Sequence, residues 1–117
     1  MMKYLSIEPF VPSGRDFDGA KQFFQALGFH MNWDAGDMVG FDRDGCKFIL
    51  QNFDNVAFAE NFMLSVRITS ADEFWRNVTD KQLAQKFNVQ ISHPTDQPYG
   101  REVNIIDLAG VCWHFVQ

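Results

Sequence analysis

The chain has 117 residues, 46% hydrophobic and 21% charged, which suits one folded domain and excludes a disordered chain. Its net charge of −5 and pI near 4.9 exclude a binder of nucleic-acid phosphates. No apolar run reaches the roughly 20 residues of a membrane span, so neither nucleic acid nor membrane is an expected partner.

Leu5, Ile7 and Val11 alternate with Ser6, Glu8 and Phe10, which predicts a strand. Glu8 and Pro9 also interrupt any apolar signal-peptide core near the N-terminus. After a P-S-G-R-D loop, Phe17, Ala20, Phe23, Phe24 and Leu27 form one apolar stripe of a helix, and Gly28 ends it. Strands are expected at Phe29–Trp33, Met38–Phe41 and Cys46–Gln51, punctuated by D-A-G-D and R-D-G turns.

Phe53 to Glu60 breaks the pattern and reads as a linker. Phe62, Leu64 and Val66 then alternate as a strand. Ser70 and Glu73 have capping-box spacing for a helix carrying Phe74, Trp75, Val78, Leu83 and Phe87, with a kink or restart at Thr79-Asp80. Val89–Ser92, Arg101–Asp107 and Val111–Val116 are the remaining strands. H-P-T-D-Q-P-Y-G reads as a loop.

The order β-α-β-β-β therefore occurs twice, as module 1 over about 1–53, a linker over about 54–60 and module 2 over about 61–117. Val11 matches Val66 and Ser6 matches Asn61. In the closing strands Gly45 matches Gly110, Phe48 matches Trp113, Ile49 matches His114 and Leu50 matches Phe115. The expected fold is α+β: two βαβββ modules in one domain, forming curved mixed sheets with helices on the outer face and a cleft on the inner face.

Strand alternation sorts the residues. Leu5, Ile7, Val11, Phe48, Leu50, Phe62, Leu64, Val66, Val103, Ile105, Trp113 and Phe115 are expected under the helices. The opposite set mixes Ser6, Glu8, Phe10, Lys47, Ile49, Gln51, Asn61, Met63, Ser65, Glu102, Asn104, Ile106, Cys112, His114 and Val116. Sparse polar groups among apolar ones suit a small-molecule cleft. A solvated or dimer-facing sheet surface would show the same mixture.

F-D-G-A-K-Q-F-F-Q-A-L-G-F in module 1, and Q-P-Y-G-R-E-V-N-I-I-D-L-A-G-V-C-W-H-F-V at the C-terminus, carry a resemblance over nearly the whole chain. The sequence resembles the vicinal oxygen chelate superfamily of glyoxalases, extradiol dioxygenases and bleomycin resistance proteins. The C-terminal stretch is especially similar to the bleomycin resistance branch. Metalloenzymes of this superfamily place ligands on the first and last strands of each module. By that resemblance the four positions here are Ser6, Ile49, Asn61 and His114, of which only His114 is a competent ligand. Neither a metal nor another cofactor is expected.

The bleomycin resistance branch implies a homodimer that sequesters a cationic aromatic drug in interfacial clefts without altering it. The residues assigned to such a site are Trp33 and Phe41 as aromatic walls, Glu8 and Glu102 as acids, and Ile49, Asn61, Asn104 and His114 as lining. The alternative is an enzyme of isomerase, lyase or dioxygenase type, using Glu8, Glu102 or His114 for proton transfer, or a displaced metal site. Cys46 and Cys112 have no close-spaced cysteine partner, so reduced thiols in a cytoplasmic protein are expected. Cys112 shares a strand face with His114, although strand cysteines are more often inert packing.

Overall fold

The computed structural model describes residues 1–117. The first half contains β1 (Phe10–Pro12), α1 (Phe17–Ala26), β2 (His30–Asp34), β3 (Met38–Arg43) and β4 (Cys46–Gln51). A short helix, α2 (Val56–Glu60), joins the halves. The second half contains β5 (Met63–Arg67), α3 (Ala71–Asp80), α4 (Leu83–Phe87), β6 (Gln90–Ile91), β7 (Thr95–Gln97), β8 (Gly100–Ile106) and β9 (Cys112–Val116).

The strands form two mixed sheets, ordered β1-β4-β3-β2 and β5-β9-β8-β6, with β7 also paired to β8. In each sheet the first strand lies parallel to the last, which is antiparallel to its predecessor. Val11 sits beside Leu50, and Val66 beside Phe115. Phe10 sits beside Ile49, and Ser65 beside His114. The halves thus share connectivity and register, with Ile49 and His114 as counterparts.

Local chemistry sets the helix ends. Asp16 caps α1 by accepting the Gly19 N–H at 2.9 Å, and Gly28 leaves the helix at φ 95°. Ser70 accepts the Glu73 N–H at 3.1 Å at the start of α3. Thr79 and Asp80 stay within α3, and the restart comes instead at Gln82, whose left-handed backbone separates α3 from α4.

Eighteen buried side chains from both halves form one core. Its centre is aromatic: Phe24 and Phe48 have ring centroids 4.9 Å apart, and Trp113 stands 5.3 and 5.2 Å from them. Trp113 thereby ties the last strand of module 2 to the helix and last strand of module 1. The apolar set expected under the helices is buried or packed against this core, apart from Leu5 and Ile7.

Three expectations change. Leu5 and Ile7 are 91% and 90% exposed, because the ladder to β4 begins at Phe10, preceded only by the Pro9 carbonyl accepting the Ile49 N–H. Alternation specifies the faces of a strand but not its partner. The linker contains α2, begun by Asn55, which accepts the Phe58 N–H at 3.0 Å. The loop after His93 contains β7, which forms a hairpin with β8 through Pro98 and Tyr99.

Candidate functional site

On the open face of the second sheet, Glu102, Asn104 and Ile106 of β8 stand beside Val116, His114 and Cys112 of β9. Met63 of β5 pairs with Cys112 from the other side. Paired residues share a face, so these side chains converge.

Glu102 is the hub and is only 3% exposed. Its Oε1 accepts the Tyr99 hydroxyl at 2.8 Å and the Asn104 amide at 3.5 Å, and its Oε2 lies 3.2 Å from His114 Nδ1. Tyr99 reaches it from the β7–β8 turn. The Glu102 hydrogen bond holds the Tyr99 phenol above its ordinary pKa. The other imidazole nitrogen, Nε2, meets two sulfurs: Cys112 Sγ at 3.5 Å and Met63 Sδ at 3.4 Å. Burial pushes the Cys112 thiol up, with Glu102 and Asp107 adding to it. Asn104 Oδ1 is buried without a hydrogen-bond partner, so the face retains an unused acceptor.

The first sheet offers a different surface. Phe10, Ile49, Gly40 and Trp33 form one cross-strand row on its open face. A bulge between Met31 and Trp33 puts Met31 opposite the core residue Phe41 and Trp33 opposite Gly40. Simple alternation would have left Trp33 on the same side as Met31. A Cβ at Gly40 would collide with the Trp33 indole, so the ring rests on bare backbone. This row is apolar, and Trp33 and Phe10 remain 38% and 53% exposed.

The structure brings Glu102, Asn104 and His114 together, and places Ile49 and Trp33 on the open face of the other sheet. Phe41 is buried in the core beside Phe24 and Phe48, because β3 turns its odd-numbered residues inward, and it offers no wall. Asn61 follows α2, where its amide donates to the Ala57 carbonyl at 2.8 Å, since the strand begins only at Met63. Glu8 lies in the exposed leading segment and accepts the Ser6 hydroxyl at 2.8 Å. Sequence reasoning missed Tyr99, and it set Met63 on the face shared with Glu102 and His114 without making it a site residue. Tyr99 had a usable signal, since it occupies the turn immediately before Arg101 and Glu102.

The divalent metal site of the superfamily's enzymes does not fit these residues. Ile49 has no donor atom, Ser6 and Asn61 are engaged outside the cluster, and His114 is left alone among the four positions. No group of three histidine, cysteine or carboxylate side chains is placed to hold a metal.

Two cavities lie off these open faces. One of about 580 Å³ runs between the end of α1 and α3, lined by Leu27, Arg43, Val66, Asn77 and Lys81 among others. The other, about 420 Å³, is a slot between the start of β4 and β5, lined by Lys47, Phe48, Leu64, Val66, Arg67 and Trp113 among others.

No protein-family model matches this sequence, and no curated protein does. Solved structures do match. The bleomycin-binding protein of Streptomyces verticillus, solved with copper(II)-bleomycin, aligns with a TM-score of 0.80 and 21% identity over 99% of this chain and 98% of that one. A bleomycin resistance determinant encoded on the transposon Tn5 gives 0.76 and 22%, covering 96% of each chain. The fosfomycin resistance protein of Listeria monocytogenes, solved with Mn(II) and sulfate, gives 0.73 and 14%, covering 99% and 90%. Paired βαβββ modules, matching register in both halves and end-to-end alignment agree: this chain has the fold of the vicinal oxygen chelate superfamily, shared with bleomycin-binding and fosfomycin resistance proteins.

Proposed function

We propose that this protein binds a small aromatic, cationic molecule in the manner of the bleomycin-binding proteins, and sequesters it without altering it. The observation that carries this reading is the Trp33 indole resting on Gly40 beside Ile49 and Phe10. It is a flat, exposed aromatic platform on a sheet face free of helices. Stacking or cation–π contact with such a ring contributes about 0.5–2 kcal/mol. Glu102, buried on the other open face, and the net charge of −5 favour a cation. The fold match to bleomycin-binding proteins spans nearly the whole of both chains.

The partner in this reading is a second copy of the chain. The exposed Leu5 and Ile7 and the free edges of β1 and β5 are complementary features of one molecule. Two copies would supply the walls that each lacks.

The test is titration with bleomycin followed by tryptophan fluorescence, with the drug recovered and weighed by mass spectrometry. Saturable quenching and unchanged drug are expected. No response at high micromolar drug would remove the sequestration reading.

The Glu102–His114 pair favours a second reading. A carboxylate orienting an imidazole is also the arrangement of a general base. Chemical change in the recovered ligand would select it.

A further inference from the structure

We propose that His114, Cys112 and Met63 form a three-donor site for a soft monovalent metal ion, Cu(I), on the open face of the second sheet. Glu102 backs the imidazole of His114. Its carboxylate already accepts from Tyr99 and Asn104, and it faces His114 Nδ1 at 3.2 Å. A carboxylate facing Nδ1 favours the tautomer that carries the hydrogen there. The lone pair is then left on Nε2. A carboxylate behind a histidine is the usual outer-shell support of a metal-binding imidazole.

That lone pair faces sulfur. Cys112 Sγ lies 3.5 Å from Nε2 and Met63 Sδ lies 3.4 Å from it, held there by the β5–β9 pairing. A thioether is a poor hydrogen-bond partner, so hydrogen bonding does not account for both contacts. Metal bonds of about 2.0 Å to nitrogen and about 2.3 Å to sulfur, with donors this far apart, give an N–metal–S angle of roughly 105–110°. Thiolate, thioether and imidazole together select Cu(I) over oxygen-seeking cations. Met63 is 66% exposed, which leaves an entry path from solvent. Binding forms one N–Cu and two S–Cu bonds and releases the Cys112 thiol proton to water. Copper stays monovalent, so no oxidant or reductant enters.

The site uses donors of one chain and stands independently of the drug-binding reading. It is tested by anaerobic competition between the reduced full-length chain and bicinchoninate for Cu(I). Wild type and Cys46→Ser, which removes the other thiol, should each withdraw one equivalent. Cys112→Ser and Met63→Leu should lose it, and Glu102→Gln should weaken it about 10- to 100-fold. Met63→Leu replaces an exposed side chain by one of similar size, so its circular dichroism should match wild type. Failure of wild type to withdraw copper, or retention equal to wild type in Cys112→Ser or Met63→Leu, overturns the site.

Discussion

Asp107 accepts the indole N–H of Trp113 through Oδ2 at 2.9 Å, while its Oδ1 accepts the backbone N–H groups of Ala109, Gly110 and Val111. One carboxylate therefore closes the turn between β8 and β9 and orients the tryptophan that joins the two modules. Burial raises its pKa from 3.8 to about 6, although all four donors pull the other way.

A pH signature follows from that carboxylate. Between pH 4 and 6 the folded state holds a proton that the unfolded state has released. Stability from this group is therefore greatest below about pH 4, falls as pH rises to about 6, and is flat above that. The shift of about two units corresponds to about 3 kcal/mol. Asp107→Asn keeps an oxygen for the turn but loses the acceptor for Trp113, which costs about 1–2 kcal/mol. Urea unfolding at several pH values checks this. The difference between wild type and Asp107→Asn should change across pH 4–6, and a constant difference would refute the assignment.

Gly40 gives a second prediction. Gly40→Val fills the seat of the Trp33 indole and lifts the ring into solvent. The substitution suits a strand, so stability should change little. In a Trp75→Phe background, acrylamide should quench Trp33 more strongly than before, while Trp113, only 2% exposed, stays protected. If the platform binds ligand, bleomycin affinity should fall up to about 30-fold, the equivalent of one lost aromatic contact. Unchanged quenching would show that Trp33 does not depend on Gly40.

The fold was largely legible because the repeat left two copies of each signal. Val11 matches Val66 and Leu50 matches Phe115 in the repeat, and their pairings in the sheets follow that match. The site was legible only where strands are regular. Glu102, Asn104 and His114 obey alternation over β8 and β9 and meet as expected. Trp33 sits beyond a bulge, which no period-two pattern reveals, and Asn61 precedes its strand by two residues. Phe41 lies on the core side because Val39, Phe41 and Phe48 share a face, an alternation present in the sequence. Alternation put Met63 on the right face, but an exposed methionine acquires meaning only when β5 is set beside Cys112.

The leading segment supports the last prediction. Leu5 and Ile7 project from it at 91% and 90% exposure, and Tyr4 at 93%. Such alternating apolar side chains at an open edge are costly to leave in water. β5 ends its sheet with an unpaired edge, and the slot beside it is lined by Leu64, Val66 and Trp113 and bordered by the chain's own Ile7 and Pro9. A second copy donating residues 4–8 to that edge would supply a strand and bury both leucine and isoleucine, at about 1.5–3 kcal/mol each. Sedimentation velocity at tens of micromolar should therefore show a dimer. Leu5→Asp/Ile7→Asp should yield monomers with unchanged circular dichroism, because both side chains are almost wholly exposed in a single chain. A monomeric wild type, or a double variant that remains dimeric, would rule out exchange of this segment.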